Sequence, residues 1–179
     1  AASYLPYPLV QKVVCVLNKS DQKGVIVNVN SAVDLIENID RLMKIPEARA
    51  VLIQPILKGL EIFIGAKREN SFPPLILCGQ GGIFVEIYKD IEFGLAPLSF
   101  EEAVEMIHRL KIYPLLKGSR GEKGISIEYY ARLIERISLL MESCPEIIEL
   151  DLNPLIANSE SISIVDARIR LEKTNTPDP

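Results

Sequence analysis

Tryptophan is missing from this chain of 179 residues, and histidine occurs only once, as His108. With Cys15, Cys78 and Cys144 far apart, one histidine cannot complete a zinc site, and no Ser-His-Asp arrangement can be built around it. His108 flanks the apolar positions Val104 and Ile107 on a helical pattern, which marks it as structural. The three cysteines form no CxxC pair and lie in apolar surroundings. Their odd count argues against a disulfide framework and for a reducing cytoplasm. No apolar run reaches the ~18–20 residues of a membrane-spanning helix. The opening Ala1-Ala2-Ser3-Tyr4 carries neither the basic nor the apolar region of a leader, so none is expected. Positive charge is outnumbered, with 20 Lys and Arg against 24 Asp and Glu, and the formal net charge of −4 excludes a broad nucleic-acid-binding surface. Neither nucleic acid nor a membrane is an expected partner.

What is present is ordinary globular material. Hydrophobic residues make up 48% of the chain, enough for one sizeable core or two small ones sharing a cleft. Tyr7 to Leu17 and Gly24 to Val29 are strand-like runs joined by a polar link, Asn18 to Lys23, that suggests a hairpin. Ser31 reads as a helix N-cap, followed by Val33, Ile36, Ile39 and Met43 at helical spacing until Pro46. Ala50 to Gln54 is a short buried strand, and Pro55 to Gly59 is a break between two lobes. Leu60 to Lys67, Leu75 to Cys78 and Ile83 to Tyr88 are three further apolar runs. Ser99 with Glu102 is a capping box opening a helix to about Lys111. A glycine-rich basic loop, Leu115 to Gly124, precedes a long helical pattern from Ser126 to Ser143. Ile147 to Ile156 and Ser161 to Ile169 then form a final strand pair, and Lys173 to Pro179 reads as a disordered tail or linker. The expected class is α+β, with domains at 1–56, 57–172 and a tail at 173–179.

Chemistry has three places to sit. Gly79-Gln80-Gly81-Gly82 falls between apolar strands, so its backbone amides could meet an anion, although a tight turn alone would look the same. Glu149, Asp151 and Asn153 alternate along one strand and share a face, while Asp166 interrupts the facing strand. Those oxygens suit a hard divalent cation such as Mg²⁺, or else are the solvent face of an ordinary sheet. Lys12 lies mid-strand between apolar neighbours, where it needs solvent or a partner such as a phosphate.

The segments also resemble, in order and spacing, the β-type domain of the ADP-forming acyl-CoA synthetases. YPLVQKVV with KSDQKGV, then VLIQPILKGLEIFIGAKRE, CGQGGIFVEIYKDIEFGLAPLS, LLKGSRGE, and PEIIELDLNPL with VDARI are collinear with that family from Tyr7 to Leu171. The resemblance implies the ATP-grasp fold, two α+β lobes with a nucleotide cleft between them. It implies that Lys12 contacts the nucleotide phosphates and that Gln54 to Leu57 form the hinge beside the adenine. Glu61 would lie near the ribose, and Gly81 and Gly82 beneath the phosphates. Asn153 and Asp166 match Mg²⁺ ligands, and Asp151 matches a catalytic acidic position facing the phosphoryl-transfer site.

The family interconverts acyl-CoA, ADP and phosphate with free acid, CoA and ATP through a phosphohistidine. That histidine and the CoA site belong to an α-type partner domain, so the expected cofactors are ATP or ADP with Mg²⁺ and the chain is not expected to act alone. Three departures stand out. Asn18 replaces a loop histidine, Gly94 replaces the arginine of an FRLAPL motif, and Phe72-Pro73-Pro74 replaces an FGP turn. The family's segment before Tyr7 is also missing, so the first lobe is expected to lack its N-terminal part. Asn18 and Gly94 favour an alternative, a regulatory nucleotide-binding module of the kind attached to an acetyltransferase, whereas intact Lys12, Glu61, Asn153 and Asp166 favour the leading expectation, the ATP-binding component of the synthetase.

Overall fold

The structure is a computed structural model and describes residues 5–15, 24–69, 72–82, 89–119, 121 and 123–172. The chain divides into two compact units, Ala1–Leu57 and Lys58–Pro179. The link 18–23, the run 83–88 and the tail 173–179, each given a role above, lie outside the described residues.

The first unit holds β1 (Leu9–Cys15), β2 (Val25–Val29), α1 (Ala32–Leu42) and β3 (Ala48–Pro55). The strands form an antiparallel sheet in the order β2-β1-β3. Ser31 does cap α1, its hydroxyl accepting the Asp34 N–H at 3.1 Å. The face that α1 buries is not the expected one. Leu35 and Leu42 are buried and Ile39 packs beside them, whereas Val33 and Ile36 are 65% and 60% exposed. The helix carries two apolar stripes at helical spacing, and only contact with Leu9, Val29 and Ile53 of the sheet selects between them. Gln11 is buried on the same side, donating from Nε2 to the Leu35 carbonyl at 3.0 Å.

The second unit is built on β4 (Leu60–Glu69), β5 (Phe72–Gln80), β6 (Ile91–Leu95), β7 (Ile147–Ala157), β8 (Ile162–Ile164) and β9 (Arg168–Leu171). They form one antiparallel sheet in the order β6-β5-β4-β7-β8, with β9 also pairing with β7. The helices α2 (Phe100–Arg109), α3 (Tyr113–Leu116) and α4 (Ile127–Ser143) complete it. Ile62, Ile64, Ile76, Leu150, Leu152 and Leu155 of the sheet share a core with Met106, Ile107, Ile134 and Met141 of the helices. Each such side chain contributes about 1.5–3 kcal/mol through burial. The Ser99 capping box is present in full, with Glu102 and Ser99 exchanging bonds of 2.8 and 3.2 Å.

Two departures from the sequence reading shape the site. The expected single strand from Ser161 to Ile169 is two strands that share one flank of β7, with Val165 to Ala167 between them. Across β4, Ile62 pairs with Leu155 and Ile64 with Leu152, so Asn153 and Pro154 together face the single residue Phe63. That is a β-bulge, placed where Pro154 has no N–H to give the ladder.

Candidate functional site

Two tethers fix the glycine turn, one to the start of β4 and one to β7. The Gly81 N–H donates to the Glu61 carbonyl at 2.9 Å, and the Gly82 N–H donates to Asn153 Oδ1 at 2.8 Å. Gly82 has φ +69°, and a Cβ there would collide with the Glu61 carboxylate. A Cβ on Gly81 would strike the backbone of Ile62. Only glycine allows this approach, so Glu61, Gly81, Gly82 and Asn153 form one cluster.

The same geometry corrects the reading of the turn as an anion cradle. Gly79 N–H donates to Tyr130 Oη at 3.1 Å and Gln80 N–H to the Asp90 carbonyl at 3.4 Å. With Gly81 and Gly82 already engaged, all four amides of the turn are spent inside the protein. The turn therefore keeps its four amides for the protein itself, and it holds Asn153 in place.

Asp151 and Asn153 lie on the sheet face opposite the buried Leu150 and Leu152. Asp166 lies in the gap between β8 and β9, within electrostatic reach of Asp151. Val165 N–H donates to the Pro154 carbonyl at 3.2 Å, and pairing resumes only at Arg168. Burial pushes the Asp151 carboxyl above its ordinary range. Arg168 opposes that shift, while the negative charges of Asp166 and Glu149 add to it. Glu149 is taken out of the expected ligand face, because Arg170 holds it at 2.9 and 3.1 Å.

Beside Glu61 a cleft of about 280 Å³ is lined by Gly59, Leu60, Gln80, Ile112, Leu115 and Leu116. Asp90 ties its walls together. Its carboxylate accepts the Lys111 and Ile112 N–H groups, each at 2.8 Å, while its carbonyl takes the Gln80 N–H. Sequence reasoning missed Asp90, and nothing in the surrounding residues signals it.

In the first unit, register places Lys12 and Gln54 on one sheet face, since Val10 faces Gln54 and Lys12 faces Leu52. Gln54 Oε1 is buried with no hydrogen-bond partner among the described residues, an acceptor that a donor on a ligand would satisfy. Leu57, at the end of that unit, is 44% exposed.

Three further residues are now placed. His108 is exposed and stacks edge-on against Tyr113, with ring centroids 4.6 Å apart. Cys78 is buried, and burial pushes its thiol up to about 12. Gly94 faces Ile76, and a side chain there would meet Leu98 and Met106, so the missing arginine is a matter of α2 packing.

The first unit thus holds a buried acceptor with no partner among the described residues, and the second a glycine turn tied to an acidic sheet face. The sequence profile of the ATP-grasp domain family matches residues 1–171, and the chain belongs to that family. It is 40% identical over 175 residues to the β subunit of acetate–CoA ligase (ADP-forming) I of Pyrococcus furiosus, covering 92% of this chain and 75% of that one. It is 37% identical to the acetate–CoA ligase (ADP-forming) I of Archaeoglobus fulgidus, where it spans 26% of the longer chain. Among solved structures, acetyl-coenzyme A synthetase 1 of Ca. Korarchaeum cryptofilum superposes with a TM-score of 0.83 at 35% identity, over 96% of this chain and 79% of that one. That structure holds coenzyme A and Mg-AMPPCP, with a phosphohistidine segment pointing towards its nucleotide-binding site. The α+β fold is thus an ATP-grasp fold, and the chain is a component of the ADP-forming acid–CoA ligase class. Among the described residues, no helix is long and apolar enough to cross a membrane.

Proposed function

We propose that this chain supplies the ATP- and ADP-binding half of an ADP-forming acid–CoA ligase, with Mg²⁺ held by Asn153 and Asp166. The observation that carries the reading is the hydrogen bond from Gly82 to Asn153 Oδ1, which joins the glycine turn to the acidic face. It leaves Asn153 a second lone pair, and Asp166, whose charge reaches Asp151 two residues before Asn153, adds a carboxylate; few oxygens with room for phosphate suit Mg²⁺. Bound magnesium would offset the charge on the terminal phosphates. The chain's own groups do the rest. Lys12 meets a phosphate, Gln54 and Leu57 border the base, and Glu61 takes a ribose hydroxyl. Asp151 faces the transferred group.

The phosphohistidine and the CoA site are assigned to an α-type partner, as the β-subunit relatives suggest. Acid and acyl-CoA are handled through that partner. The setting is cytoplasmic, in keeping with the unpaired thiols of Cys78 and Cys144.

Calorimetry with ATP and ADP, with and without magnesium, tests the reading on the full chain and on Asp166→Ala. Wild type is expected to bind in a magnesium-dependent way. The variant should lose about tenfold or more in affinity while keeping its fold, since removing one charged ligand forfeits a charge-assisted contact. Equal binding by the variant would remove Asp166 from the site. Binding by wild type without labelling of the partner's histidine from radioactive ATP would move the chain to a regulatory role.

A further inference from the structure

All four amides of the glycine turn donate within the protein, so they cannot meet the charge of a polyphosphate. The sheet face beside the turn is acidic, with Asp166 and Glu149 both in electrostatic reach of Asp151. A triphosphate arriving there needs cations from side chains as well as from metal.

Strand β9 carries two arginines on one face, at Arg168 and Arg170. In register, Arg170 faces Glu149 and Arg168 faces Asp151, so both are set against acids in the same way. Their outcomes differ. Arg170 closes onto Glu149 through two nitrogens, at 2.9 and 3.1 Å. Among the described residues Arg168 closes no ion pair, although Asp151 feels its charge. It is exposed, stands two residues beyond Asp166, and sits across the ladder from Asp151.

From this pairing we infer that Arg168 is a phosphate-binding residue of the site, its guanidinium taking a terminal phosphoryl oxygen of the nucleotide from the β9 side. A planar guanidinium can grip two phosphoryl oxygens, which an ammonium cannot. Arg170 is spent on Glu149 through two of its nitrogens. The inference rests on the nucleotide reading above and adds a residue to it.

The experiment compares ATP, ADP and AMP binding, with magnesium, to wild type, Arg168→Gln, Arg168→Lys and Arg170→Gln in the full chain. Arg168→Gln is expected to weaken ATP binding about tenfold or more while leaving AMP within about twofold, because one charge-assisted contact to the terminal phosphate is lost. Its ATP affinity should also fall less steeply with salt. Arg168→Lys should recover part of the loss, and Arg170→Gln should bind as wild type does. ATP affinity unchanged in Arg168→Gln, or an equal loss for AMP and ATP, overturns the assignment while wild-type binding keeps the nucleotide reading. No binding by wild type would overturn both.

Discussion

Replacing Tyr130 by phenylalanine removes one oxygen from the interior of the second unit and leaves the ring in place. Tyr130 is fully buried on α4. Its hydroxyl donates to the Phe63 carbonyl at 2.8 Å and accepts the Gly79 N–H at 3.1 Å. Phe63 is the residue facing the bulge at Asn153 and Pro154, and Gly79 opens the glycine turn. Burial pushes the hydroxyl well above its ordinary value, so it stays a neutral donor across any working pH. Without it, two buried backbone groups lose their partner, and each unsatisfied group costs about 1–3 kcal/mol. Partial relaxation of the facing strands gives some of that back, so the expected loss is about 2 kcal/mol. For a chain of this size that lowers Tm by about 4–8 °C.

Urea denaturation followed by circular dichroism reads the loss. Hydrogen exchange should find the amides of Gly79 to Gly82 exchanging faster, while those of α2 keep their protection. A variant within about 0.5 kcal/mol of wild type, with an unchanged m-value, would refute the view that this hydroxyl holds the turn.

Two further outcomes follow from the same geometry. Gly82→Ala should cost about 1–3 kcal/mol through its positive φ and the Glu61 carboxylate, and should weaken magnesium-dependent nucleotide binding by releasing Asn153; calorimetry beside thermal melts would check both. The backbone N–H and hydroxyl of Ser99 hold the Glu102 carboxyl below its usual value, so its contribution is present above the ordinary carboxylate range and lost as pH falls through the folded value. The difference in stability between wild type and Glu102→Gln should therefore fade on acidification, and melts across an acid series would show it.

Where local signals were strong, the sequence could be read directly. Ser31 and Ser99 each cap the helix they were expected to cap, because a hydroxyl facing free amides is decided within one turn, and Ser126 does the same for α4. Helical spacing puts Tyr130, Leu133, Ile134, Ile137 and Met141 on one side of α4, and all but the partly buried Leu133 are buried there. Long-range choices were less legible. Val33 and Ile36 match a helix period as well as Leu35 and Leu42 do, and only the sheet beneath decides. The site splits in the same way. Asp151 and Asn153 sharing a face followed from alternation, but the use of the turn amides depends on partners such as Asp90 and Tyr130, ten and fifty-one positions from their bonded residues. The capture of Glu149 by Arg170 required the register of β7 with β9, which the break after Ile164 concealed.

That break also works as a ruler. Between Ile164 and Arg168 the chain leaves the flank of β7 and returns to it, and the number of residues spent outside decides which way β9 lands. Strand side chains alternate with a period of two, so a spacer shorter or longer by one residue would turn the strand over. Ile169 and Leu171 would then stand over the acidic face, and both arginines would point to the other side of the sheet. Composition and charge would be almost unchanged by such a slip. The arrangement of cations around the acids is thus encoded in a length as much as in any side chain.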